Sequence, residues 1–550
     1  MRRFLINQLF GGLIVAGICS AQTPVILISI DTLRGDHVGA HTPGIESFAR
    51  NGTVFTAAET QVPLTLPSHT TLLTSTWPFQ NGVEENAGKV PAGMVTLASV
   101  LRGRGYKTAA FIGSIFLEKE LGLDQGFDTY DSPFHFEAFS KLSGEMLFGG
   151  TGSAYAVRER RPGALVLRAA NQWLGAHRGE PVFVFVHLFD MHKPWQRGSY
   201  DTQLAEVDRL LAGFRETLQR EGWWDRSVVA LVADHGEGLG DHGESDHGYF
   251  VYESTLHVPL IIHWPAGAAK LPARVAQPVG LIDVAPTILD FLKIPAPASF
   301  HGRSVLDGSA RPVLSESVYA RDSFGWAALR SVREGSWKYI DAPKPELYNL
   351  ARDPRELNNV VKTSPAEAMR LRAALPAVKS LPGQASGDPQ RKKEVLESLG
   401  YLAPGPQAVR KVSAADPKDR LPELLRYEDA LQFMGERRYE AAIAAFRAIL
   451  TADPGNLLAR RDLGVALNER RDFRNAQAEL ERVASSSSDD YVTRYELGLA
   501  NEGLGQFREA LDQFEYACRI APGATQCQDA VARVRDKLGA KRSPRAPDRR

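Results

Sequence analysis

The sequence predicts an α/β domain, a mostly parallel sheet sandwiched by helices, followed by an all-α repeat solenoid. Two observations carry this. Between residues 25 and 375, short β-rich runs alternate with amphipathic stretches, and from about residue 423 a helical pattern recurs every 34 residues. Alternating strands and helices imply parallel strands covered on both faces. A fixed period of that length implies stacked helical units that bury a core only together.

The strand candidates are "VILISI", "TAAFIGS", "VFVFVHL", "SVVALVA" and "PLIIHW", with helical patterns between them at 164–176 and 203–220. This domain is expected over 24–375. Residues 376–420, rich in Pro, Gly, Lys and Ala, read as a linker with one short helix near "EVLESLGYL". The repeats fall at 423–456, 457–490 and 491–524, with a capping helix near 525–537 and a basic, disordered tail at 538–550. Their eighth positions are Ala430, Gly464 and Gly498, their seventeenth Tyr439, Phe473 and Phe507, and their twentieth Ala442, Ala476 and Ala510. Small residues let paired helices approach, the aromatics fill the gap, and Pro454 and Pro522 stop the second helix. This pattern resembles three tetratricopeptide repeats, which implies a module that binds a protein partner.

A chain of 550 residues exceeds one compact core, so more than one domain is expected. Sixty-five basic residues balance 65 acidic ones, so nothing in the charge favours nucleic acid. The first 21 residues read as a secretory signal: two arginines, an apolar stretch, then small residues ending at Ala21. Export to the periplasm or beyond follows, either cleaved or held by an uncleaved anchor. Ile18 before Cys19 argues against lipidation. In an oxidising compartment Cys518 and Cys527 could pair, and a buried free thiol suits Cys518 equally.

Three strands deliver an aspartate at or past their carboxyl ends: Asp31, Asp190 and Asp234. Ligands of open α/β sheets bind there. His235 follows Asp234 directly, His192 lies two residues past Asp190, and "GDHGESDHG" adds His242 and His247. Oxygen and imidazole donors together suit zinc, or manganese. Asp241, His242 and Asp246 read as turn residues of a Gly-rich loop.

The motifs "ISIDTLRGDHVG", "TLPSHTTLLTS", "HLFDMHKPW", "DHGEGLGDHG", "YESTLHVPLII" and "ELYNLARDPRELNNV" resemble, in this order, the sulfatase branch of the alkaline phosphatase superfamily, over roughly 24–402. The resemblance implies a mixed, mostly parallel sheet, a metal-dependent ester hydrolase, and an anionic ester substrate. It also implies site residues. Asp31, Asp234 and His235 match metal ligands, with the nucleophile as a further contact of the ion. The nucleophile loop Cys/Ser-x-Pro-Ser-Arg reads here Thr65-Leu66-Pro67-Ser68-His69. Asn86 matches a contact to the anionic group, and His192 a substrate contact or leaving-group acid. The cofactor expected is one or two divalent ions, zinc first, with manganese or calcium as alternatives.

The departures are informative. Sulfatases oxidise the loop's Cys or Ser to an aldehyde, but threonine would give a ketone. His69 replaces the loop's arginine, and His247 stands where sulfatases carry a lysine. Phosphodiesterases and transferases of the superfamily use threonine instead. A second ion in that arrangement would take Asp190, His192 and His247. Metal coordination would turn the Thr65 hydroxyl into a nucleophile toward phosphorus, with Asn86 holding a non-bridging oxygen and His69 either supporting it or serving as a turn or core histidine. The expectation is a phosphodiesterase or phosphatase. The rivals are a true sulfuric ester hydrolase and a degenerate, scaffolding sulfatase fold.

Overall fold

The computed structural model describes residues 22–86, 88–134, 160–193, 195, 198–268, 272–377, 415–486, 490–521 and 524–540. The expected signal segment with Cys19, the short helix near "EVLESLGYL", Pro522 and residues 541–550 of the basic tail lie outside the described residues.

The central sheet is mixed and mostly parallel. Strands β1 (Val25–Ile30), β5 (Val182–Leu188) and β6 (Val228–Ala233) are apolar and buried along their whole length, as strands covered on both faces must be. β1 lies between the other two, parallel to both. The parallel row continues beyond β5 through β3 (Lys107–Phe111) to β4 (Thr129–Asp131). On the other side β6 pairs antiparallel with β7 (His257–His263), and β7 antiparallel with β2 (Gly52–Glu59). The run "PLIIHW" is thus a strand against the parallel direction, and β2 had no counterpart among the expected strands. Helix α1 (Thr65–Thr74) follows β2; α2 (Gly163–Ala176) precedes β5, and α3 (Tyr200–Arg220) precedes β6.

Two short strands, β8 (Arg274–Val275) and β9 (Val279–Gly280), pair parallel with β2. A second, four-stranded antiparallel sheet, β10 (Val313–Ser317), β11 (Leu329–Glu334), β12 (Trp337–Asp341) and β13 (Glu346–Asn349), abuts the first. Buried charges tie the two together. Arg333 bonds Glu59 at 2.7 Å and Glu253 at 2.9 Å, and Lys338, with no exposure, lies 2.9 Å from Glu253 and 3.0 Å from Glu356. Each cation has two carboxylates, so none of these charges is left buried alone.

The repeats are helix pairs: α4 (Leu421–Gly435) with α5 (Tyr439–Ala452), α6 (Leu457–Glu469) with α7 (Phe473–Ser486), and α8 (Tyr491–Gly503) with α9 (Phe507–Ile520), capped by α10 (Thr525–Ala540). The small eighth positions explain themselves. A Cβ on Gly464 would fall 2.5 Å from Leu480, and one on Gly498 2.6 Å from Phe514. Cys518 and Cys527 pair in a disulfide that joins α9 to α10.

The two halves share one apolar core. Phe324 meets the Tyr427 ring edge-on with centroids 5.4 Å apart, and Trp326 Nε1 donates to Asp453 at 3.2 Å. The first repeat therefore packs against the α/β domain.

Glu316, buried on β10, accepts one hydrogen bond, from the Phe79 amide at 3.0 Å. Burial, with the Glu84 charge adding, pushes its carboxyl from 4.5 up to about 8. The folded value is the higher one, so the stability this group contributes is complete below 4.5 and lost as pH rises towards 8. Glu316→Gln is expected to flatten that fall. Melting curves between pH 5 and 8.5 check this; parallel curves for the two proteins would contradict it.

Candidate active site and metal centre

The adjacent strands β5, β1 and β6 end side by side, and their carboxyl ends set the site. Asp31 follows β1, and its amide donates to Leu188 O on β5 at 2.9 Å. The next residue, Thr32, has φ 53, a left-handed conformation that a β-branched residue adopts only under constraint. The bend lets the Thr32 amide donate to Asp234 Oδ1 at 3.2 Å, alongside the His235 amide at 2.8 Å. His235 Nδ1 is fixed by Gly236 O at 2.9 Å.

Three atoms are left over. Asp31 Oδ1, Asp234 Oδ2 and His235 Nε2 are buried and have no hydrogen-bond partner. One donor atom from each of these residues lies within 4.8 Å of the other two. Two carboxylates and a neutral imidazole, oriented by their other atoms and unsatisfied where they converge, form a donor set that fits a divalent cation. The electrostatics agree. Burial, with the Asp31 charge adding, drives Asp234 well above the usual carboxylate range. Burial pulls the same way on Asp31, but His187 and the rings of His235 and His192 overcome it and hold that carboxyl low. Burial, with His247 nearby, pushes His235 down to about 3, so its ring is neutral.

Thr65 opens α1, and its hydroxyl donates to Asp31 Oδ2 at 3.3 Å. Asn86 Oδ1 accepts the Leu66 amide at 2.9 Å, which locks the loop and leaves the buried Asn86 Nδ2 without a partner beside the nucleophile loop. Ser68 Oγ donates to Asp234 O at 2.7 Å, tying the loop to β6.

His69 does not reach the substrate side. Its Nε2 meets Ser29 Oγ at 2.8 Å and its Nδ1 meets Thr65 O at 2.7 Å, so both ring nitrogens are spent holding the loop. Asp190 also departs from expectation. One carboxylate oxygen accepts the Gly163 amide at 3.0 Å, at the start of α2, and Asp190 joins none of the donor clusters among the described residues. His192 and His247 do approach the first cluster: His247 lies 4.4 Å from His235 and 5.4 Å from His192, centroid to centroid. Burial, with Arg160 adding, pushes His192 down to about 4. Asp241 pairs with Arg34 and Arg355, and His242 stacks on Tyr252, as turn residues would.

Three residues near the site went unread. His187, inside β5, puts Nε2 3.4 Å from Asp31 Oδ2 and packs on His69 with ring centroids 4.8 Å apart. An inward position on the strand carrying Asp190 was the available signal. Arg160 donates to His192 O at 2.5 Å, a pairing that no spacing announces. Glu237, three residues past Asp234, has no exposure and meets His247 at 3.3 Å.

Comparisons with known proteins fit this geometry. Residues 23–294 match the Sulfatase family, residues 240–377 the family described as N-sulphoglucosamine sulphohydrolase, C-terminal, and residues 433–495 the Tetratricopeptide repeat. Arylsulfatase K of Bos taurus is 29% identical over 214 residues, 36% of this chain and 39% of the relative. Arylsulfatase K of Rattus norvegicus is 27% identical over 274 residues, 47% of this chain and 46% of the relative. The matches thus span less than half the length of each of these curated relatives. Among solved structures, the phosphonate monoester hydrolase of Agrobacterium radiobacter aligns with TM-score 0.52 and 21% identity, over 64% of this chain and 94% of its own. A 2-O GAG sulfatase aligns with TM-score 0.50 and 18% identity, over 68% and 96%. At such identities these two structures share the fold.

Burial drives the Asp234 carboxyl toward its neutral form, so Asp234→Asn removes the cost of protonating it on folding, and the metal-free variant is expected to melt at or above the wild type. The same change should abolish the stabilisation that zinc gives, which at a hundredfold excess over Kd amounts to about 2.7 kcal/mol. Melting curves of EDTA-treated protein with and without zinc test both. An undiminished zinc response in the variant would remove Asp234 from the ligand set.

Proposed function

Because the chain belongs to the sulfatase-like branch of the alkaline phosphatase superfamily, with tetratricopeptide repeats behind its hydrolase domain, we propose that it is a metal-dependent phosphodiesterase whose nucleophile is Thr65. The observation that carries this reading is the Thr65 hydroxyl on Asp31 Oδ2, beside three convergent, unpartnered donor atoms. An intact secondary alcohol in the nucleophile's place favours direct attack over a carbonyl-hydrate mechanism.

Asp31, Asp234 and His235 would hold the ion, and the mixed oxygen–imidazole set favours zinc. When bound, a divalent cation supplies the positive charge that brings a coordinated hydroxyl toward ionisation near neutral pH. Thr65 Oγ1 then attacks phosphorus, its proton leaving along the hydrogen bond to Asp31. The bond from phosphorus to the departing oxygen breaks, and a phosphothreonine remains. Water attacks that phosphorus from the opposite side, the phosphorus–Oγ1 bond breaks, and Thr65 recovers its proton. Asn86 Nδ2 is free to donate to a non-bridging oxygen as charge redistributes onto it. His192, neutral at physiological pH, serves to exchange a proton with the departing oxygen and then with the water. His69 acts as a positioning residue for Thr65 and touches no substrate.

A diester carries one negative charge, a monoester nearly two. The loop lacks its family arginine, and His247 stands where the lysine would be, which favours the smaller charge. The second reading is sulfuric ester hydrolysis, favoured by the curated relatives that bear the name Arylsulfatase K. The intact donor set argues against a degenerate scaffold. The residues 1–21 pattern and the Cys518–Cys527 disulfide support export to an oxidising compartment. No helix among the described residues is long and apolar enough to cross a membrane. A protein partner for the repeats completes the proposal.

Zinc-loaded protein should cleave an aryl phosphodiester faster than an aryl phosphomonoester or aryl sulfate. Thr65→Ala is expected to lower diester turnover by about 10³-fold or more while leaving bound zinc in place, as loss of a covalent nucleophile does. Preference for the sulfate, or retained turnover in the variant, would overturn the assignment.

A further inference from the structure

Beside the first cluster lies a second. Glu237, Asp246 and His247 each bring a donor atom within 4.8 Å of the others. Glu237 Oε1 lies 3.3 Å and Asp246 Oδ1 2.9 Å from His247 Nδ1. Glu237 has no exposure, and its Oε2 is buried without a hydrogen-bond partner. The loop that carries them is folded back on itself: the Gly238 amide donates to Asp246 O at 2.7 Å, and a Cβ on Gly238 would fall 2.3 Å from Glu244 O. That closure brings residues nine positions apart face to face.

Further acidic groups surround this cluster. Glu244 is buried, with one oxygen accepting the Tyr249 and Phe250 amides and Oε2 unpartnered. Glu428, on the first repeat helix, accepts Ser245 Oγ at 3.2 Å. Against the carboxylates of Glu237, Glu244, Asp246 and Glu428 stand Lys193, whose ammonium donates to Ser245 O, and the His247 ring. Four carboxyl groups thus gather around one ammonium and one imidazole, an arrangement that a bound cation would relieve.

We propose that Glu237, Asp246 and His247 form a second divalent-cation site next to Asp31, Asp234 and His235. It replaces the Asp190, His192 and His247 set expected from sequence, because Asp190 is turned to the start of α2. Carboxylate and imidazole donors suit manganese or zinc. The proposal rests on the reading of Asp31, Asp234 and His235 as the first site. Its place explains why the first repeat closes this side of the domain: Leu421 lies against Gly243, and Glu428 adds its charge behind Ser245.

The test is metal content and electron paramagnetic resonance of the full chain loaded with manganese. Two equivalents per chain with an exchange-coupled signal are expected, since the His235 and His247 rings are 4.4 Å apart. Asp246→Asn and Glu237→Gln should each leave one equivalent and the spectrum of an isolated ion. Circular dichroism shows whether each variant folds. Asp246, whose side chain is 30% exposed, carries the test if Glu237→Gln does not fold. Two equivalents unchanged by Asp246→Asn would overturn the proposal. So would one equivalent in the wild type that is lost in Asp31→Asn: the cluster is then an imidazolium held by two carboxylates, and the first site stands. No bound manganese or zinc at all would remove both sites.

Discussion

Two carboxylates without exposure, Asp31 and Asp234, stand together at the ends of neighbouring strands, and the surrounding structure is arranged to hold them there. Like charges buried together repel and lose their hydration, so without a cation between them the fold would tolerate the pair only by splitting their protonation. Asp31 is held low by histidines and Asp234 is driven high. The cost is met locally by backbone amides on Asp234 Oδ1 and by the strained turn at Thr32 that delivers one of them. What stays unsatisfied faces one point. A protein that merely tolerated two buried acids would have paired these oxygens with a lysine, as it does where Lys338 stands between Glu253 and Glu356.

The same contrast governs the junction with the repeats. The face of the first repeat is not free groove: Tyr427 packs on Phe324, Asp453 accepts from Trp326, and Glu428 reaches the loop of Asp246 and His247. The helices that would offer a partner their inner surface are thus partly engaged by the hydrolase domain of the same chain. A partner held by the later repeats would act on a body continuous with the active-site rim, since no solvent layer separates the two cores.

How much of this was legible in the sequence follows from range. β1, β5 and β6 are unbroken apolar runs ending in aspartate, so strand, burial and site location could be read together. The repeats were legible because their packing recurs, and a Cβ at Gly464 or Gly498 has nowhere to go. The direction of β7 was not, since a strand buried on both faces reads alike in either orientation. β2 and the strands of the second sheet are short or mixed in pattern and went unread. At the candidate site, spacing along the chain did not tell which way a carboxylate turns. Asp190 sits one residue from Met191 and two from His192, yet its carboxylate turns to α2. Asp246 looks like a turn residue, yet a loop closed by Gly238 brings it and its neighbour His247 to Glu237.

The substitution of His69 for arginine shows why position in a motif does not fix a role. An arginine there could span the loop and still present charge forward. An imidazole with its two nitrogens on Ser29 and Thr65 has no reach left, and burial, with His187 beside it, pushes its pKa well below the ordinary value. The loop therefore gains rigidity and loses a cation. One arginine enters from a distant segment: Arg160 packs over Phe189 with its guanidinium on the His192 carbonyl and, at 3.2 Å, on the His192 ring nitrogen Nδ1. In the proposed reading, contact with an anionic oxygen falls to a neutral amide, Asn86 Nδ2. In the proposed reading, one uncharged donor and the ions held by the acid clusters would suit a substrate of low charge. If that reading holds, this balance, more than the identity of the nucleophile alone, would separate the site from an arginine-bearing sulfatase loop.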